Sequence, residues 1–392
     1  MLNIKTIIKS LDKKLLFITL FMLVFGLINI VTASSREAVV VNEQGIYYYF
    51  YRQIVVLGVG FVLAVAALCF PTESYKKYGL LAYIFALATI LYCFTQKSNR
   101  GAQNWIPLFG GFQFQPSEFG KIALIMYLSF LFEFKSKILR NPNDQNYKKT
   151  VGIIFIVMFA IPSVIFVQKD LGTASIILFI VGILFLLSPM KFKSKLKFIG
   201  IGLLCALLFL GVYFVARGYI LTEAQIARIT EFWRPCSKYE TGGYQTCNAQ
   251  IAINDGGLLG LGIGKSKQKY SYIPEPHTDS IFAIIAEEWG VISCLFFVFI
   301  PYAFILYRIF DIANKSITLR GKYICIGVGC YIFAHIFINL GGLIGLIPLT
   351  GVPLPFLSYG GTYTICLLIA LSLVQRVHVE TKNKRFKVKT SN

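Results

Sequence analysis

Residues 14–34 read KLLFITLFMLVFGLINIVTAS, an apolar run whose only charge, Lys14, stands at its start. As a helix, a run of this length crosses the roughly 30 Å hydrocarbon core of a bilayer. It is too long for the apolar core of a signal peptide, although VTASS at 31–35 faintly resembles a cleavage site. We therefore interpret it as an uncleaved first membrane helix.

Similar apolar runs recur along the whole chain. Of the 392 residues, 56% are hydrophobic and only 14% are charged, and the mean hydropathy is +0.67. A backbone in lipid must pair its own polar groups, so each run is expected to be a helix. We predict an all-α, polytopic membrane protein, with residues 1–392 forming a single transmembrane domain of about ten helices. The expected spans are 14–34, 52–71, 77–95, 117–134, 151–167, 172–189, 198–215, 280–306, 321–345 and 359–375.

The positive charge is distributed unevenly along the chain. A net charge of +20 suits nucleic acid, but lysine and arginine collect in alternate loops, which is the positive-inside pattern of membrane proteins. Both termini are therefore expected in the cytoplasm. The basic tail, residues 376–392, is interpreted as a cytoplasmic anchor on anionic lipid, and non-specific binding of nucleic acid is the weaker alternative. The basic clusters lie at 5–14, 76–77, 135–149, 191–197, 308–322 and 382–389.

Three segments are expected on the outer side. The largest, 216–279, precedes the eighth helix and is rich in glycine, tyrosine and basic residues. Residues 96–116 have the glycine, proline and aromatic content of an interfacial turn. Residues 346–358, LIPLTGVPLPFLS, carry no charge and are predicted to be re-entrant or packed against helices. The chain has no P-loop, dinucleotide fingerprint or Cys/His cluster, so direct use of ATP or NAD is not expected.

Acidic residues inside apolar helices are costly and need an explanation. Glu118 and Lys121 lie three residues apart and can pair on one helical face. They form either a structural ion pair or a cavity wall that binds an anionic headgroup. Asp170 is expected to cap the sixth helix. Glu287 and Glu288 are expected to stabilise their helix through hydrogen bonds rather than to act in catalysis.

Asp279 differs from these acids because it lies at the membrane surface, just before the eighth helix. Upstream in the same loop are the basic residues Arg228, Arg234, Lys265, Lys267 and Lys269, and His277 is close by in sequence. Of these, Arg228, Arg234, Lys265, Lys269 and His277 are expected to bind the substrate. A carboxylate facing a basic, glycine-rich loop suits a general base beside a phosphate site. The alternative is that Asp279 only caps the helix.

Two cysteines are set apart from the other seven of nine, which lie in apolar spans. Cys236 and Cys247 share the long external loop. They are predicted to form a disulfide if the outer compartment is oxidising, and two free thiols are the alternative.

Several motifs resemble the SEDS family, the group of FtsW, RodA and SpoVE, from the first span to the last. The loop GIGKSKQKYSYIPEPHTDSIF, residues 262–282, looks more like the division and sporulation branch than the elongation branch, so an FtsW-like protein is favoured. The chain departs from the family pattern at Asn104, where arginine is common, and at Lys169, where proline is common. The matching motifs are NWIPLFGGFQFQPSEFGK (104–121), DLGTA (170–174), RITEFWRP (228–235), GGYQTCNAQIAINDGGLLGLGIGKSKQKYSYIPEPHTDSIFAIIAEEWG (242–290) and INLGGLIGLIPLTGVPLPFLSYGGT (338–362).

The resemblance implies an enzyme of the bacterial plasma membrane with its active site on the outer face. Such an enzyme is a glycosyltransferase that polymerises lipid II, a disaccharide-peptide linked to a polyprenyl chain through pyrophosphate. A class B penicillin-binding protein is the implied transpeptidase partner. The family's catalytic aspartate falls on Asp279, and its cavity-lining pair falls on Glu118 and Lys121. No tightly bound cofactor is expected, while Mg²⁺ or Mn²⁺ could assist; a lipid II flippase and a non-catalytic division scaffold are the alternatives.

Overall fold

The structure, a computed structural model, describes residues 4–96, 103–232, 235–238, 243–270 and 272–390. These residues are mostly helical, with only one short two-stranded hairpin among them, which confirms the all-α fold class. Short 3₁₀ or π turns occupy Glu37–Val41, Thr72–Ser74, Cys93–Thr95, Phe109–Gly111, Pro235–Lys238 and Leu295–Phe299. The α-helices are α1 (Ile4–Lys9), α2 (Lys13–Arg36), α3 (Tyr48–Cys69), α4 (Tyr75–Tyr92), α5 (Pro116–Phe134), α6 (Ser136–Arg140), α7 (Tyr147–Val167), α8 (Leu171–Leu187), α9 (Phe192–Arg217), α10 (Glu223–Glu231), α11 (Tyr244–Gly256), α12 (Ile281–Cys294), α13 (Ile300–Lys315), α14 (Leu319–Leu343) and α15 (Thr362–Thr390).

Every predicted span coincides with a helix, but not all of these helices have the length and composition typical of a membrane span. Within the described residues, eight helical segments are long and apolar enough to cross a membrane. The helix α8 is shorter, with 17 residues, and α5 carries Glu118, Lys121 and Glu133 within its 19 residues. The multi-pass architecture is therefore confirmed, whereas the count of ten spans stays a prediction.

The predicted topology can be tested by labelling single cysteines on opposite sides of the membrane. In a background without the exposed Cys205, Lys265→Cys should react with an impermeant maleimide from outside, because 216–279 is expected outside. Lys193→Cys, in a basic cluster, should react only after the membrane is opened. Labelling of both positions from the same side would contradict the topology.

The centre of the bundle is formed by α5, α14 and α15, whose side chains are mostly buried. The helix α9 lies at the periphery instead. Tyr213 is the only buried residue of its 26, all of which the structure describes. Most of its leucine and phenylalanine side chains are exposed, as expected of a helix that faces lipid.

The span Ile281–Lys315 is broken near its start, which sequence did not predict. A straight helix of 35 residues would be about 52 Å long, well above the ~30 Å hydrocarbon core. At Gly290 the backbone turns to φ 76° and ψ 167°. Two amides of residues 257–262 bond the carbonyls of Glu287 and Glu288, at 2.9 and 3.0 Å. The break therefore has its polar groups satisfied by an adjacent loop.

The segment 96–116 is folded, as far as it is described, into a small hairpin. The strand β1 (Ile106–Pro107) pairs antiparallel with β2 (Gln113–Phe114). Gly110, at φ 69°, provides the left-handed turn between them. The hydroxyl of Thr362 donates to the Gln113 carbonyl at 3.1 Å, which holds the hairpin against the start of α15.

Residues 352–358 pack inside the bundle, which confirms the expectation for this half of the apolar segment, whereas Leu346 is exposed and 347–350 are half-buried. The Tyr302 hydroxyl of α13 donates to the Pro355 carbonyl. A Cβ at Gly26 of α2 would lie 2.2 Å from the Phe356 carbonyl oxygen, so only glycine allows this approach. The loop thus enters between helices instead of lying in water.

The structure shows no boundary at residue 376, and the role of the predicted basic tail as a cytoplasmic lipid anchor stays a prediction. The helix α15 continues to Thr390. Arg376 donates to Glu380 at 2.9 Å, and the same carboxylate accepts bonds from the Thr72 amide and hydroxyl at 2.8 and 2.6 Å. The bonds from Thr72 to Glu380 fix this part of the helix to the bundle. The sequence shows the charged residues here but not which groups they bind.

Candidate functional site

Asp279 lies directly before α12, yet it does not cap that helix. The N-cap position belongs to Ser280, and no side-chain capping bond is made there. The Asp279 carboxylate instead accepts bonds from Thr278 Oγ1 at 3.2 Å and Gln245 Nε2 at 3.4 Å. The helix-cap alternative is therefore not supported, and the carboxylate stays accessible to another partner.

The backbone of Asp279 is held by α14 and by the packed loop. Asn339 Nδ2 donates to the Asp279 carbonyl at 2.6 Å and to the Val352 carbonyl at 2.7 Å. Gly351, at φ 71°, lies against the carboxylate, since a Cβ there would be 3.5 Å from Asp279 Oδ2. The backbone of Asp279 is thus fixed by Asn339. Because Gly351 has no side chain, nothing from that residue covers the carboxylate.

Burial raises the pKa of the Asp279 carboxyl above its usual value, and the nearby charge of Glu275 acts in the same direction. The hydrogen bonds from Thr278 and Gln245 partly oppose this shift. A carboxylate with a raised pKa binds a proton more readily, so the environment makes Asp279 a stronger base.

His277 is not an open ligand, in contrast to the sequence prediction. Its ring is buried, with its centroid 4.1 Å from that of Tyr49, and its Nδ1 lies 3.4 Å from Glu37 Oε2. Its carbonyl accepts a bond from the Tyr359 amide at 2.8 Å. The residue thus joins α3 to the segment just before α15 beside Asp279. A direct contact with substrate would require this packing to open.

Glu287 and Glu288 have the structural role that sequence predicted. Glu287 accepts a bond from the Lys267 amide at 2.7 Å, and Glu288 pairs with Lys269 Nζ at 3.0 Å. These bonds hold the 264–269 loop on α12. Lys269 also donates to the Gly264 carbonyl at 2.7 Å and is buried. It is therefore a structural residue here, which corrects the expectation of an open substrate ligand.

The other predicted basic ligands are only partly described. Lys265 is exposed at the surface of its loop. Arg228 lies in α10, but its side chain is outside the described set, and Arg234 lies outside the described residues. Their roles in binding substrate stay predictions.

Glu118 and Lys121 form the predicted pair, deep in the bundle. Lys121 Nζ donates to Glu118 Oε1 at 2.7 Å and lies 3.0 Å from His335 Nε2. The Tyr331 hydroxyl donates to Glu118 Oε2 at 3.3 Å. Both charged side chains are enclosed, with exposed fractions of 2% and 0%. The pair therefore lines no open cavity in this structure, which favours the structural alternative.

His335 extends this buried polar cluster to the packed loop, because its Nδ1 lies 3.3 Å from the Pro353 carbonyl. The ring is fully buried, so His335 is a hydrogen-bonded core residue. The link to Lys121 could not be predicted, since the two residues are far apart in the chain.

Asp170 caps α8, as predicted, by accepting a bond from the Thr173 amide at 3.0 Å. Its second oxygen accepts a bond from Asn104 Nδ2 at 2.8 Å. Asn104, one of the two positions where the chain departs from the family pattern, therefore holds the hairpin against α8. Lys169 has φ 68°, and its carbonyl accepts a bond from Gln225 at 3.0 Å.

Cys236 and Cys247 are joined by a disulfide in the structure. Closing so short a loop contributes roughly 2–3 kcal/mol to local order. We expect mass spectrometry of non-reduced peptides to find the linked pair. Alkylation of both thiols without reductant would show that they are free in the protein.

Gln245 is a site residue that sequence analysis missed. Its amide contacts both Asp279 and Ser280, at 3.4 and 3.0 Å. Its only sequence signal is its place near Cys247 in the glycine-rich loop, and that does not indicate a partner 34 residues away.

A metal site needs several ligating side chains close together, and none is found among the described residues. They contain no group of three or more His, Cys, Asp or Glu side chains that could hold a metal ion. The chain alone thus offers no closed metal site in its described part, and the expectation about Mg²⁺ or Mn²⁺ stays untested.

Comparison with known proteins identifies relatives over almost the whole chain. The sequence model of the cell cycle proteins FtsW, RodA and SpoVE matches residues 13–383. The probable peptidoglycan glycosyltransferase FtsW of Bacillus subtilis is 33% identical over 391 residues, covering 98% of this chain and 95% of the relative. Stage V sporulation protein E of the same organism is 30% identical over 371 residues, covering 94% and 97%.

Solved structures share the fold. A chain of a peptidoglycan synthase complex, studied for its coordination of polymerization and crosslinking, has a TM-score of 0.71 at 23% identity, covering 95% of this chain and 98% of that one. The Rod shape determining protein RodA of Thermus thermophilus has a TM-score of 0.65 at 23% identity, covering 95% and 97%.

Proposed function

The chain belongs to the FtsW, RodA and SpoVE family of cell cycle proteins, and on this basis we propose that it is a peptidoglycan glycosyltransferase that polymerises lipid II into glycan strands. The observation that carries the proposal is the Asp279 carboxylate, which is partly buried, fixed through its backbone and not used as a helix cap. The curated FtsW relatives, together with the 262–282 loop, favour an FtsW-like role in cell division.

The proposed reaction is a single displacement at the anomeric carbon of the donor sugar. The acceptor 4-hydroxyl is a weak nucleophile, so Asp279 takes its proton as the new carbon–oxygen bond forms. The bond from the anomeric carbon to the pyrophosphate oxygen breaks, and the polyprenyl pyrophosphate leaves as an anion. One displacement inverts the configuration at that carbon.

The leaving group needs charge stabilisation more than a proton, because pyrophosphate is already anionic. Lys265, Arg228 and Arg234 are the candidate ligands, since Lys269 is bound to Glu288. This assigns one carboxylate to catalysis, unlike hydrolytic glycosidases, whose alkoxide leaving group requires a second. We derive no step through Mg²⁺ or Mn²⁺.

The protein is a multi-pass membrane protein, and we place it in the bacterial plasma membrane with both termini in the cytoplasm and Asp279 outside. A class B penicillin-binding protein is the proposed partner. This proposal is supported by the likeness of the chain to a component of a peptidoglycan synthase complex.

Purified protein with lipid II, followed by a gel for glycan strands, tests the function. The polymerase makes strands, whereas a flippase or a scaffold makes none. The enclosed Glu118–Lys121 pair and the capping role of Asp170 do not favour the open translocation path that a flippase needs. Absence of strands from folded protein, with the penicillin-binding partner present, would overturn the proposal.

A further inference from the structure

The Gln245 side chain lies between α11 and the start of α12, where it contacts the proposed general base. An amide nitrogen carries two hydrogens, and here each has an acceptor. Gln245 Nε2 lies 3.0 Å from Ser280 Oγ and 3.4 Å from Asp279 Oδ1. The shorter bond fixes the amide, and the second hydrogen then faces the carboxylate.

The helix that carries Gln245 is fixed at both ends. Near its start, the disulfide joins Cys247 to Cys236 of the turn Pro235–Lys238. At its end, Gly256 contacts α12 so closely that a Cβ would lie 2.2 Å from the Ala286 carbonyl oxygen. A rotation of α11 would therefore move Gln245 away from Asp279, and the disulfide opposes that rotation.

We propose that Gln245 is a positioning residue for Asp279 and that the Cys236–Cys247 disulfide keeps it in place, so that polymerisation depends on the oxidation state of this pair. The inference rests on the proposed function. Donation of an N–H to a carboxylate favours its ionised form and fixes its orientation. Only the ionised carboxylate can accept the proton of the acceptor hydroxyl, so Gln245 keeps Asp279 ionised and oriented although burial raises its pKa.

The groups around Asp279 allow the effect to be assigned. Glu275, from the same loop, is the charged group that acts on the Asp279 pKa, and Thr278 and the Asp279 amide are the other hydrogen-bond donors. The helix α14 presents the neutral Asn339, which binds the backbone carbonyl, and the packed loop presents Gly351. Gln245 is thus the donor to this carboxylate that comes from α11.

The first experiment replaces Gln245 by methionine, which has a similar shape but no hydrogen to donate. We expect kcat for strand formation to fall roughly fivefold with little change in KM, as for the loss of one hydrogen bond. Because loss of the donor raises the Asp279 pKa, the acid limb of the pH–rate profile should move to higher pH by about half a unit to one unit. The matched control is Gln250→Met on the same helix, whose amide lies over Gly345 instead.

A second variant covers the case in which Gln245→Met does not fold. Gln245→Glu keeps the size of the side chain and can accept a bond from the Ser280 hydroxyl. Its negative charge beside Asp279 should move the acid limb further toward high pH. Wild-type rate and pH profile in either folded variant would overturn the positioning role.

The disulfide is tested by reduction. Dithiothreitol should lower the rate of the wild type and move its acid limb in the same direction as Gln245→Met. In the Gln245→Met background, reduction should cause no further shift, because both changes remove one interaction. Cys205→Ser controls for other thiols, and Cys236→Ser/Cys247→Ser should be insensitive to the reductant.

The outcomes separate the two proposals. If the wild-type protein makes no strands, the proposed function itself is wrong. If the active wild type loses rate on reduction but keeps its pH profile, the link between the disulfide and Gln245 is wrong. If reduction does not change the rate of the active wild type, the redox dependence is wrong.

Discussion

Purified Asp279→Asn protein is expected to make glycan strands about 10²–10⁴-fold more slowly than the wild type, while it folds and inserts normally. Asparagine keeps the size of the side chain and an oxygen that can accept the bond from Thr278, but it cannot take a proton. Since Asp279 is not the cap of α12, the start of the helix should be unaffected. The rate is measured on lipid II, and folding is measured by thermal unfolding.

The matched comparison for this variant is Glu288→Gln, which removes a buried carboxylate on α12, the helix that follows Asp279. That change leaves Lys269 with a weaker partner, so the main effect should be a lower Tm and only a small loss of rate. A near wild-type rate for Asp279→Asn would show that the general base is a different residue. If that variant fails to insert, a wild-type pH profile decides instead, because the acid limb should lie above the ordinary aspartate pKa near ~4.

The second large effect is expected at the buried ion pair. Lys121→Ala leaves the enclosed Glu118 carboxylate without its counter-ion, and breaking such a pair typically costs about 3–5 kcal/mol. We expect poor expression and a strongly lowered Tm. The neutral double variant Glu118→Gln/Lys121→Met should recover most of the lost stability, because it leaves no uncompensated charge.

The double variant also separates the two roles of the pair. Strand formation by the folded double variant would make the pair structural, whereas a folded but inactive one would indicate that the charges act on the substrate headgroup. Normal expression of Lys121→Ala with full polymerase activity would contradict both roles.

Much of the fold could be predicted because it depends on local sequence. Apolar runs identify spans by length alone, and the Asp170 cap lies within three residues of its partner amide. The ion pair of Glu118 and Lys121 is local in the same way. These two successful predictions concern contacts within one turn of a helix.

The predictions that failed concern contacts between distant segments. Lys269 is enclosed because Glu288 meets it from another element, and His277 because Tyr49 and Tyr359 cover it. Gln245 could not be predicted as a neighbour of Asp279 for the same reason. Residue type indicated which side chains could act, but only packing shows which of them are already engaged.

The break at Gly290 has a consequence for the exchange of parts between relatives. Residues 257–262 supply bonds to the backbone on both sides of the break, including one from the Val291 amide to the Gly257 carbonyl at 3.0 Å. A chimaera that transplants only 216–279 would separate these partners across its junction. The transferable module therefore ends after Ile292, inside what the hydropathy of the chain presents as one continuous span.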